Sequence, residues 1–410
     1  MMQTCRFCGE IVTQNFVDLG MSPLSNSFIK PENLYAAETF LPLHAFVCSH
    51  CYLVQLEEFE TPDHIFQDYV YFSSFSQSWL KHAQQYVDMM MSDYPISSTC
   101  HVVEIASNDG YLLQYFKEKK VPVLGIEPAR NVARVAIDKG IPTISEFFGK
   151  NLALKLTEQG KQADLLLGNN VLAHVPDIND FVAGMKILLK SNGIITMEFP
   201  HLLRLIEDVQ FDTIYHEHFS YLSLTTVNKL FFAHGLQVFD VENINTHGGS
   251  LRIYVKHLED SAKQINQRVQ NLLDEEEQAG LNQIETYNDF SNRVKQVKRN
   301  LIELLIELKN EGKTIVGYGA PAKGNTLFNY CGIRADFVDY TVDRSPYKQG
   351  LFLPGTHIPI HSPEMIQETK PEYILILPWN LKEEIMGQTS FIREWGGKWI
   401  IPIPEALIIE

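Results

Sequence analysis

A regular alternation of apolar strands and helices between residues 101 and 200 constrains the fold of this chain more than any other feature. The segment HVVEIASNDGYLLQYF opens the pattern with a buried strand, a turn of small residues and a helix. VPVLGIEPA, ADLLLGNNVLAHVPD and FVAGMKILLKSNGIITMEFP supply further strands. This alternation predicts a doubly wound α/β domain, whose mostly parallel sheet binds its ligand at the carboxyl ends of the strands.

Polar side chains follow these strands where each strand ends. An acidic residue after the second strand, Glu127, can accept hydrogen bonds from both hydroxyl groups of a ribose. The candidate ligand contacts at this edge are Glu104, Ser107, Asn108, Gly110, Glu127, Pro128, Asn169, Asn170, His174 and Glu198. Any one of them alone could be a capping or turn residue. Their common position predicts a bound cofactor.

The first turn indicates which cofactor this is. It lacks the glycine spacing of dinucleotide-binding proteins, because Gly110 is the one glycine in it. It resembles the E-x-G-x-x-x-G motif of class I S-adenosylmethionine (SAM) methyltransferases, with Glu104 as the acidic residue and Ala106 in place of the first glycine. The resemblance implies a SAM-binding, Rossmann-like domain over residues 61–256, in which residues 61–100 form a helical lead-in.

Four of the six cysteines form two close C-x-x-C pairs. These cysteines are Cys5, Cys8, Cys48 and Cys51. Two such pairs can complete a tetrahedral shell of four thiolates around Zn²⁺, and a closed shell is structural because it leaves no position for substrate. The alternatives are a redox-active C-x-x-C and a chance spacing, and His44 or His50 could replace a cysteine ligand. We expect a zinc-binding module over residues 1–60.

The segment FDTIYHEHFSY, residues 211–221, is the densest group of acid–base side chains in the sequence. If the segment is extended, His216 and His218 share one face, because strand side chains alternate. Tyr215 and Glu217 then lie on the other face. A base, an acid and hydrogen-bond donors so close together suit the removal of a weakly acidic proton. A polar loop whose histidines only cap or pack is the alternative interpretation.

A second strand–turn–helix pattern, TIVGYGAPAKGNTLFNY, begins at Thr314. Its candidate substrate contacts are Gly319, Lys323 and Asn325. The turn could hold a diphosphate at a helix N-terminus, with a lysine as a compact cation. A tight turn with a surface lysine is the alternative. Further strands are predicted over residues 337–342, 373–377 and 398–401. Residues 313–410 are therefore predicted to be a second Rossmann-like α/β domain.

Three stretches connect these units. DYVYFSSFS, residues 68–76, could be a lid over a ligand or the packed start of a helix. NTHGGSLRIYV, residues 245–255, is expected to end the central sheet as its closing strand. Residues 257–312 carry many charges with a helical period, so we expect a linker of two or three helices with a solvated charged face.

The formal charge of −16 argues against nucleic acid or an anionic membrane as a partner, because both require basic surfaces. No apolar run approaches the roughly 20 residues of a membrane span. The first residues are polar and do not resemble a secretory signal. We therefore expect a soluble, cytoplasmic protein, whose oligomeric state is left open and is compatible with a monomer.

All parts of the sequence together resemble the sugar C-3-methyltransferase family. The shared features are the four-cysteine module, SNDG, YHEHFSY, GGSLR and GYGAPAKGN, in that order. The resemblance covers nearly the whole chain. It implies transfer of a methyl group from SAM to C-3 of a nucleotide-linked 4-keto-6-deoxysugar, with dTDP or GDP as the nucleotide, in branched-chain deoxysugar biosynthesis.

The same resemblance implies roles for individual residues. The implied catalytic residues are His218, Tyr215, Glu217, His174 and either Tyr69 or Tyr71. In this scheme His218 is the base that removes the C-3 proton, and Tyr215 or His174 donates to the developing enolate. His216 is a further candidate substrate contact. Structural zinc takes no part in the chemistry.

Two other classes of function fit parts of the sequence. An O- or N-methyltransferase acting on RNA or on another small molecule would also combine a zinc module with a SAM domain. The acidic charge disfavours RNA. A nucleotide-sugar oxidoreductase, or a non-catalytic binding protein, would use the GYGAPAKG turn for a dinucleotide.

Overall fold

The N-terminal part of the chain forms a ribbon and a small antiparallel sheet. The structure is a computed structural model and describes residues 3–61 and 72–410. The ribbon pairs β1 (Gln3–Thr4) with β2 (Ile11–Val12). The sheet consists of β3 (Gln14–Ser22), β4 (Leu41–Val47), β5 (Val54–Leu56) and β11 (Ser220–Tyr221). Its order is β11-β5-β4-β3, so the end of the acid–base segment completes the N-terminal sheet.

The central sheet has seven strands. They are β6 (Val102–Ile105), β7 (Val123–Ile126), β8 (Thr143–Ile144), β9 (Ala163–Asn169), β10 (Leu189–Pro200), β12 (Leu236–Ile244) and β13 (Ser250–His257). Their order is β12-β13-β10-β9-β6-β7-β8. The five strands from β10 to β8 run parallel. All four residues of β6 and of β7 are buried, as expected where helices cover both faces of a parallel sheet. The predicted α/β fold is confirmed.

Helices flank this sheet. They are α1 (Gln77–Asp93), α2 (Leu113–Glu118), α3 (Arg130–Asp138), α4 (Lys150–Glu158), α5 (Ile178–Leu188), α6 (Leu202–Glu207) and α7 (Leu224–Ala233). α1 begins where Ser76 caps it, since the Ser76 side chain accepts from the backbone N–H of Trp79. The helix buries Tyr86 and Met90, so part of the predicted helical lead-in packs against the sheet.

The prediction that residues 245–255 end the sheet is wrong. β13 lies between β10 and β12 and is antiparallel to both. Seven of its eight residues are buried, so it needs a neighbour on each side. β12 ends in partly exposed residues around Glu242 and Asn243 and tolerates the edge position. The chain thus forms the edge strand β12 first, and β13 then pairs between β12 and β10.

Two helices form the linker, α8 (Gln267–Gln278) and α9 (Ile284–Asn310). α9 packs against β3, and the rings of Phe290 and Phe16 stack with centroids 4.4 Å apart. The prediction of a solvated charged face is wrong for Glu276, which is fully buried. Its carboxylate accepts from the backbone N–H groups of Leu224 and Thr225, because the first N–H groups of α7 lack partners within the helix.

The C-terminal sheet has six strands. They are β14 (Ile315–Tyr318), β15 (Thr341–Val342), β16 (Ile360–His361), β17 (Tyr373–Ile376), β18 (Lys398–Ile401) and β19 (Leu407–Ile409). Their order is β16-β15-β14-β17-β18-β19, and only the β18–β19 pair is antiparallel. The accompanying helices are α10 (Ala322–Cys331), α11 (Met365–Thr369) and α12 (Lys382–Gln388). A second Rossmann-like sheet was predicted, and its second strand is shorter than expected.

The helices of the described part of the chain bear on whether the protein could cross a membrane. No helix between residues 3 and 61 or between 72 and 410 is long and apolar enough to span a membrane.

Candidate active site

The four paired cysteines converge on one point. Their sulfur atoms all lie within 4.8 Å of one another. The Sγ atoms of Cys5 and Cys51 are 3.6 Å apart, and those of Cys8 and Cys48 are 3.5 Å apart. A tetrahedral shell with Zn–S bonds of about 2.3 Å has edges of about 3.8 Å, so the four thiolates fit Zn²⁺. His44 instead bonds to Asn15 and does not belong to this cluster.

The first turn of the central sheet has an unusual backbone. Ala106 has φ of +56°, Asn108 +49° and Gly110 +77°. A left-handed conformation costs an alanine about 1–2 kcal/mol. The turn therefore keeps the shape that a glycine would give it, although Ala106 replaces the motif's first glycine. At Gly110 a Cβ would lie 2.3 Å from Cδ1 of Ile141, so a substitution there would displace this side chain as well as strain the backbone.

Glu127 and Glu104 lie side by side at this edge. The Glu127 carboxylate accepts from the backbone N–H groups of Asn108 and Ala129, both at 2.9 Å. Burial raises its pKa to about 7. Burial, with Glu127 as a neighbouring acid, also raises the pKa of Glu104 well above its usual value. A positively charged ligand would stabilise both carboxylates.

Other polar atoms at the same edge are positioned for a ligand. The buried atoms Ser107 Oγ and Asn170 Oδ1 have no hydrogen-bond partner among the residues described. Asn169 Nδ2 donates to the Tyr111 hydroxyl at 3.3 Å, and Pro128 is half-buried beside Glu127. SAM combines a ribose with an amino-acid cation, and this set of acidic, hydroxyl and amide groups fits it.

Glu198 lies near the carboxyl end of β10 and is also buried. Its carboxylate bonds to His82 at 2.6 Å and to Arg252 at 3.1 Å. These two partners lower its pKa despite its burial. Glu198 therefore carries a paired charge beneath the candidate cofactor site.

Residues 215–218 of the acid–base segment form a turn, and only its end, β11, is a strand. The backbone N–H of His218 donates to the carbonyl of Tyr215 at 2.9 Å. This turn brings the rings of Tyr215 and His218 together, with centroids 4.0 Å apart. His216 bonds instead to the Pro42 carbonyl at 3.2 Å. His216 and His218 were expected to share a face only if the segment is extended, and the turn at residues 215–218 means that it is not.

Glu217 also points away from Tyr215 and His218. Its carboxylate accepts from Asn26 Nδ2 of the N-terminal part of the chain, at 2.6 Å. Burial raises the pKa of Glu217 to about 7. The carbonyl of Glu217 is bonded to the His174 ring, whose pKa burial lowers to about 4.

The ring of His218 has a defined tautomer. Its Nδ1 lies 2.9 Å from the carbonyl oxygen of Thr213 and must carry a proton to donate to it. Nε2 then keeps its lone pair. Burial, with His174 as a neighbour whose ring centroid lies 4.7 Å away, lowers the pKa of His218 well below its usual value. The neutral ring can accept a proton at Nε2.

The C-terminal domain contributes a cation near this turn. Lys323 Nζ donates to Asn380 Oδ1 at 2.8 Å and lies 4.4 Å from the ring centroid of Trp379. Trp379 Nε1 donates to Asp212 Oδ2 at 2.7 Å. The positive charge of Lys323 contributes to the lowered pKa of His218. The structure thus brings the predicted base and the predicted diphosphate contact to one region.

The other two substrate contacts predicted around the glycine-rich turn are packed more tightly. Gly319 has φ of +89°, and a Cβ there would lie 2.7 Å from Pro378. Asn325 is buried, and its Nδ2 donates to the Ser25 carbonyl at 2.5 Å. Gly319 and Asn325 thus contact other parts of the chain, and their binding of a substrate remains a prediction. Tyr69 and Tyr71 lie outside the described residues.

Sequence reasoning missed two members of this region, Trp379 and His247. His247 Nε2 lies 3.1 Å from Asn170 Nδ2 at the cofactor edge. The two glycines after His247 were interpreted only as a turn. Trp379 follows β17 at the carboxyl edge of the C-terminal sheet, and this position could have identified it.

Known families match each part of the chain. Residues 5–66 match the family described as "Putative zinc binding domain", and residues 79–241 match "Methyltransferase domain". Residues 245–404 match "C-methyltransferase C-terminal domain". C-methyltransferase NovU from Streptomyces niveus is 36% identical over 405 residues, covering 99% of this chain and 96% of NovU.

Solved structures resemble the chain over less of its length. A SAM-dependent methyltransferase from Clostridium acetobutylicum is 10% identical and covers 43% of this chain and 92% of its own, with a TM-score of 0.36. The PH0226 protein from Pyrococcus horikoshii is 14% identical and covers 48% of this chain and 99% of its own, also with a TM-score of 0.36. From the NovU match and the three family matches, the chain belongs to the C-methyltransferase family and is a SAM-dependent C-methyltransferase with an N-terminal four-cysteine zinc-binding domain.

Proposed function

We propose that this enzyme methylates C-3 of a nucleotide-linked 4-keto-6-deoxysugar, carried on dTDP or GDP, through an enolate. The observation that carries the proposal is the tautomer of His218. Its Nδ1–H is held by the Thr213 carbonyl, which leaves a lone pair on Nε2. Its ring centroid lies 4.7 Å from that of His174, which follows strand β9 of the cofactor edge. Methylation of a saturated carbon next to a ketone needs such a base, because this carbon must lose a proton before it can attack a methyl group.

The ketone explains why a neutral imidazole is sufficient. A proton on the carbon next to a carbonyl is acidified, because the resulting charge spreads onto oxygen. His218 removes this proton, and Tyr215 donates to the oxygen on which charge develops. The neutral His174 ring has one N–H, which the Glu217 carbonyl accepts, so His174 is not the proposed donor. Glu217 helps to orient His174 through its backbone carbonyl. SAM supplies the methyl group, and the strand-end residues hold it beside the carbanion.

We assign binding of the substrate's nucleotide to the C-terminal domain. Lys323 is the proposed contact for the diphosphate, because its charge lies between the base and the carboxyl edge of the second sheet. The glycine-rich turn contributes less than its sequence suggested. The Ala320 N–H already donates to the Asp343 carboxylate at 2.8 Å. Lys323 Nζ therefore supplies most of the proposed diphosphate contact.

Transfer to oxygen or nitrogen is not favoured. The matching relative and the C-terminal family are both C-methyltransferases. Acceptor oxygen and nitrogen atoms also carry lone pairs and do not require a base directed at a C–H bond.

Two assays test the proposal. Incubation with labelled SAM and a panel of nucleotide ketosugars identifies the acceptor. Loss of deuterium from C-3 without SAM reports enolate formation alone. We expect the wild type to exchange this deuterium and His218→Asn to lose turnover by about 10²–10⁴, the usual contribution of a positioned base.

His361→Asn is the matched control, since His361 lies on β16, and it should exchange deuterium at the wild-type rate. Calorimetry should show that His218→Asn still binds SAM. A His218→Asn protein that methylates as fast as the wild type would remove His218 as the base. Failure of every ketosugar in the panel to accept a methyl group would contradict the substrate class.

A further inference from the structure

His247 occupies one of the most constrained backbone positions in the described part of the chain. It lies in the 3₁₀ turn Thr246–Gly248, between β12 and β13, with φ of +55°. Gly248 and Gly249 follow with φ of +93° and +112°. A non-glycine residue held in this region costs about 1–3 kcal/mol, and such residues concentrate at functional sites. A histidine here therefore requires an explanation.

The ring of His247 is held on two sides. Its Nε2 lies 3.1 Å from Asn170 Nδ2. It meets the ring of Trp79 edge to face, with centroids 5.4 Å apart. Because an amide nitrogen can only donate, Nε2 must carry the lone pair and Nδ1 must carry the ring proton. Among the described residues Nδ1 has no hydrogen-bond partner.

The charge state of His247 agrees with this tautomer. Burial lowers its pKa to about 4, and the positive charge of Lys323 acts in the same direction. The ring is therefore neutral at physiological pH. A neutral imidazole can donate one hydrogen bond without giving up its proton.

His247 and His218 have opposite tautomers, and the segments that carry them both contact Trp379. His218 presents a lone pair at Nε2, because its Nδ1–H is used by the Thr213 carbonyl. Asp212, next to Thr213, accepts from the Trp379 indole. Gly248, next to His247, also lies close to Trp379, since a Cβ on Gly248 would be 2.7 Å from Trp379 Cη2. One histidine is thus arranged to accept a proton and the other to donate a hydrogen bond.

We propose that His247 is a further catalytic residue, whose Nδ1–H donates to the substrate's carbonyl oxygen as the enolate forms. The inference rests on the proposed function. The C–H bond breaks, its proton goes to His218 Nε2, and its electron pair moves onto the carbonyl oxygen. As the C=O bond re-forms, the enolate carbon takes the methyl group of SAM, and the electrons of the broken C–S bond stay on sulfur. His247 exchanges no proton, and Lys323 adds a nearby positive charge.

Two substitutions separate this role from a structural one. The amide of Asn overlies the Nδ1 position of histidine, and the amide of Gln overlies the Nε2 position. His247→Asn therefore keeps the proposed donor and loses the Asn170 contact. His247→Gln keeps a partner for Asn170 and loses the donor. Asparagine also tolerates positive φ.

The measurement is the rate of deuterium loss from C-3 of the ketosugar without SAM. We expect His247→Gln to exchange about 10²–10³ times more slowly than the wild type, the usual effect of losing one oxyanion donor. His247→Asn should retain most of the rate. His247→Gln, which keeps a partner for Asn170, should bind SAM with wild-type affinity. Equal losses, no losses, or a larger loss in His247→Asn would overturn the proposal.

Two further results decide the proposal if the exchange measurement cannot be made as planned. If the wild type itself exchanges no deuterium from any ketosugar, the proposed function fails and not this inference alone. If His247→Gln does not fold, long-range ¹⁵N–¹H spectra of histidine-labelled wild type give the tautomer, with His247→Asn used to assign the signal. A proton on His247 Nε2 would overturn the proposal, and a proton on Nδ1 would support it.

Discussion

At the scale of single residues, the hydrogen-bond partner decides what each titratable group can do. His218 and His216 are two positions apart, yet one bonds to Thr213 within its own segment and the other to Pro42 of the N-terminal sheet. The sequence alone identified the acid–base cluster, because it shows how many Tyr, His, Asp and Glu residues lie close together in residues 211–221. Side-chain directions could not be derived, since the Tyr215–His218 turn depends on contacts with distant residues such as Asn26.

Glu217 gives a prediction for the pH dependence of stability. Its folded-state pKa of about 7 lies above the usual 4.5, so folding favours the protonated carboxyl. The resulting stabilisation is complete below pH 4.5 and is lost as the pH rises through 7, by roughly 3 kcal/mol. Glu217→Gln should flatten this decline in thermal melts between pH 5 and 8. Exposed Glu118→Gln is the control, and parallel curves for Glu217→Gln and wild type would contradict the assignment.

Glu127 gives a prediction for cofactor affinity. Glu127→Ala removes the acceptor proposed for the ribose hydroxyls and frees the N–H groups of Asn108 and Ala129. Loss of charge-assisted hydrogen bonds worth about 1.5–3 kcal/mol should raise the SAM dissociation constant roughly tenfold to a few hundredfold. Calorimetry measures this, with exposed Glu118→Ala as the control. An unchanged constant would remove Glu127 from the cofactor site.

At the scale of secondary-structure elements, β11 matters most, because it joins the acid–base segment to the N-terminal sheet. Arg6, between two of the paired cysteines, reinforces this connection. Its guanidinium donates to the Pro176 carbonyl at 2.9 Å and lies 5.5 Å from the ring centroid of Phe219, next to His218. The zinc-binding module therefore supports the segments that carry His174 and His218.

Cys8→Ser tests this support. Removing one thiolate opens the four-sulfur shell, and structural zinc contributes directly to folding. Metal analysis should find less zinc, and hydrogen exchange at residues 215–221 should accelerate. Cys100→Ser is the control, because Cys100 lies outside the cluster. A Cys8→Ser protein with full zinc content and unchanged exchange would contradict the structural role.

Periodicity predicted most elements of the two large sheets, since their strands are short apolar runs that end in polar residues. It could not give the order of β12 and β13, because strand order depends on pairing between segments. It also missed β11, whose two residues form a strand only because β5 lies beside them. Glu276 looked like a surface charge, because the sequence does not show that the start of α7 lies against it.

At the scale of the whole molecule, the acid–base segment lies where three parts of the chain meet. Glu217 is bonded to Asn26 of the N-terminal part. The Ile214 carbonyl accepts from Thr326 Oγ1 of α10 at 3.0 Å, and Asp212 accepts from Trp379. The sequence predicted the separate units but not this junction, because contacts over such separations follow no local pattern.

Lys323 gives the prediction at this scale. Lys323→Ala removes the proposed diphosphate cation and should raise the KM for the nucleotide sugar by about tenfold or more, as loss of a charged hydrogen bond implies. SAM affinity should not change, because Lys323 belongs to the C-terminal domain. Lys382→Ala, on exposed helix α12, is the control. A normal KM in Lys323→Ala would assign the diphosphate to other residues.

The junction around residues 211–221 also has a consequence for synthesis of the protein. During translation the SAM-binding sheet emerges from the ribosome before α10 and Trp379. Until those residues follow, Ile214 and Asp212 lack the partners that complete their surroundings. The nascent chain can therefore assemble its cofactor-binding sheet early, but the surroundings of residues 211–221 are completed only when the last part of the polypeptide has been made.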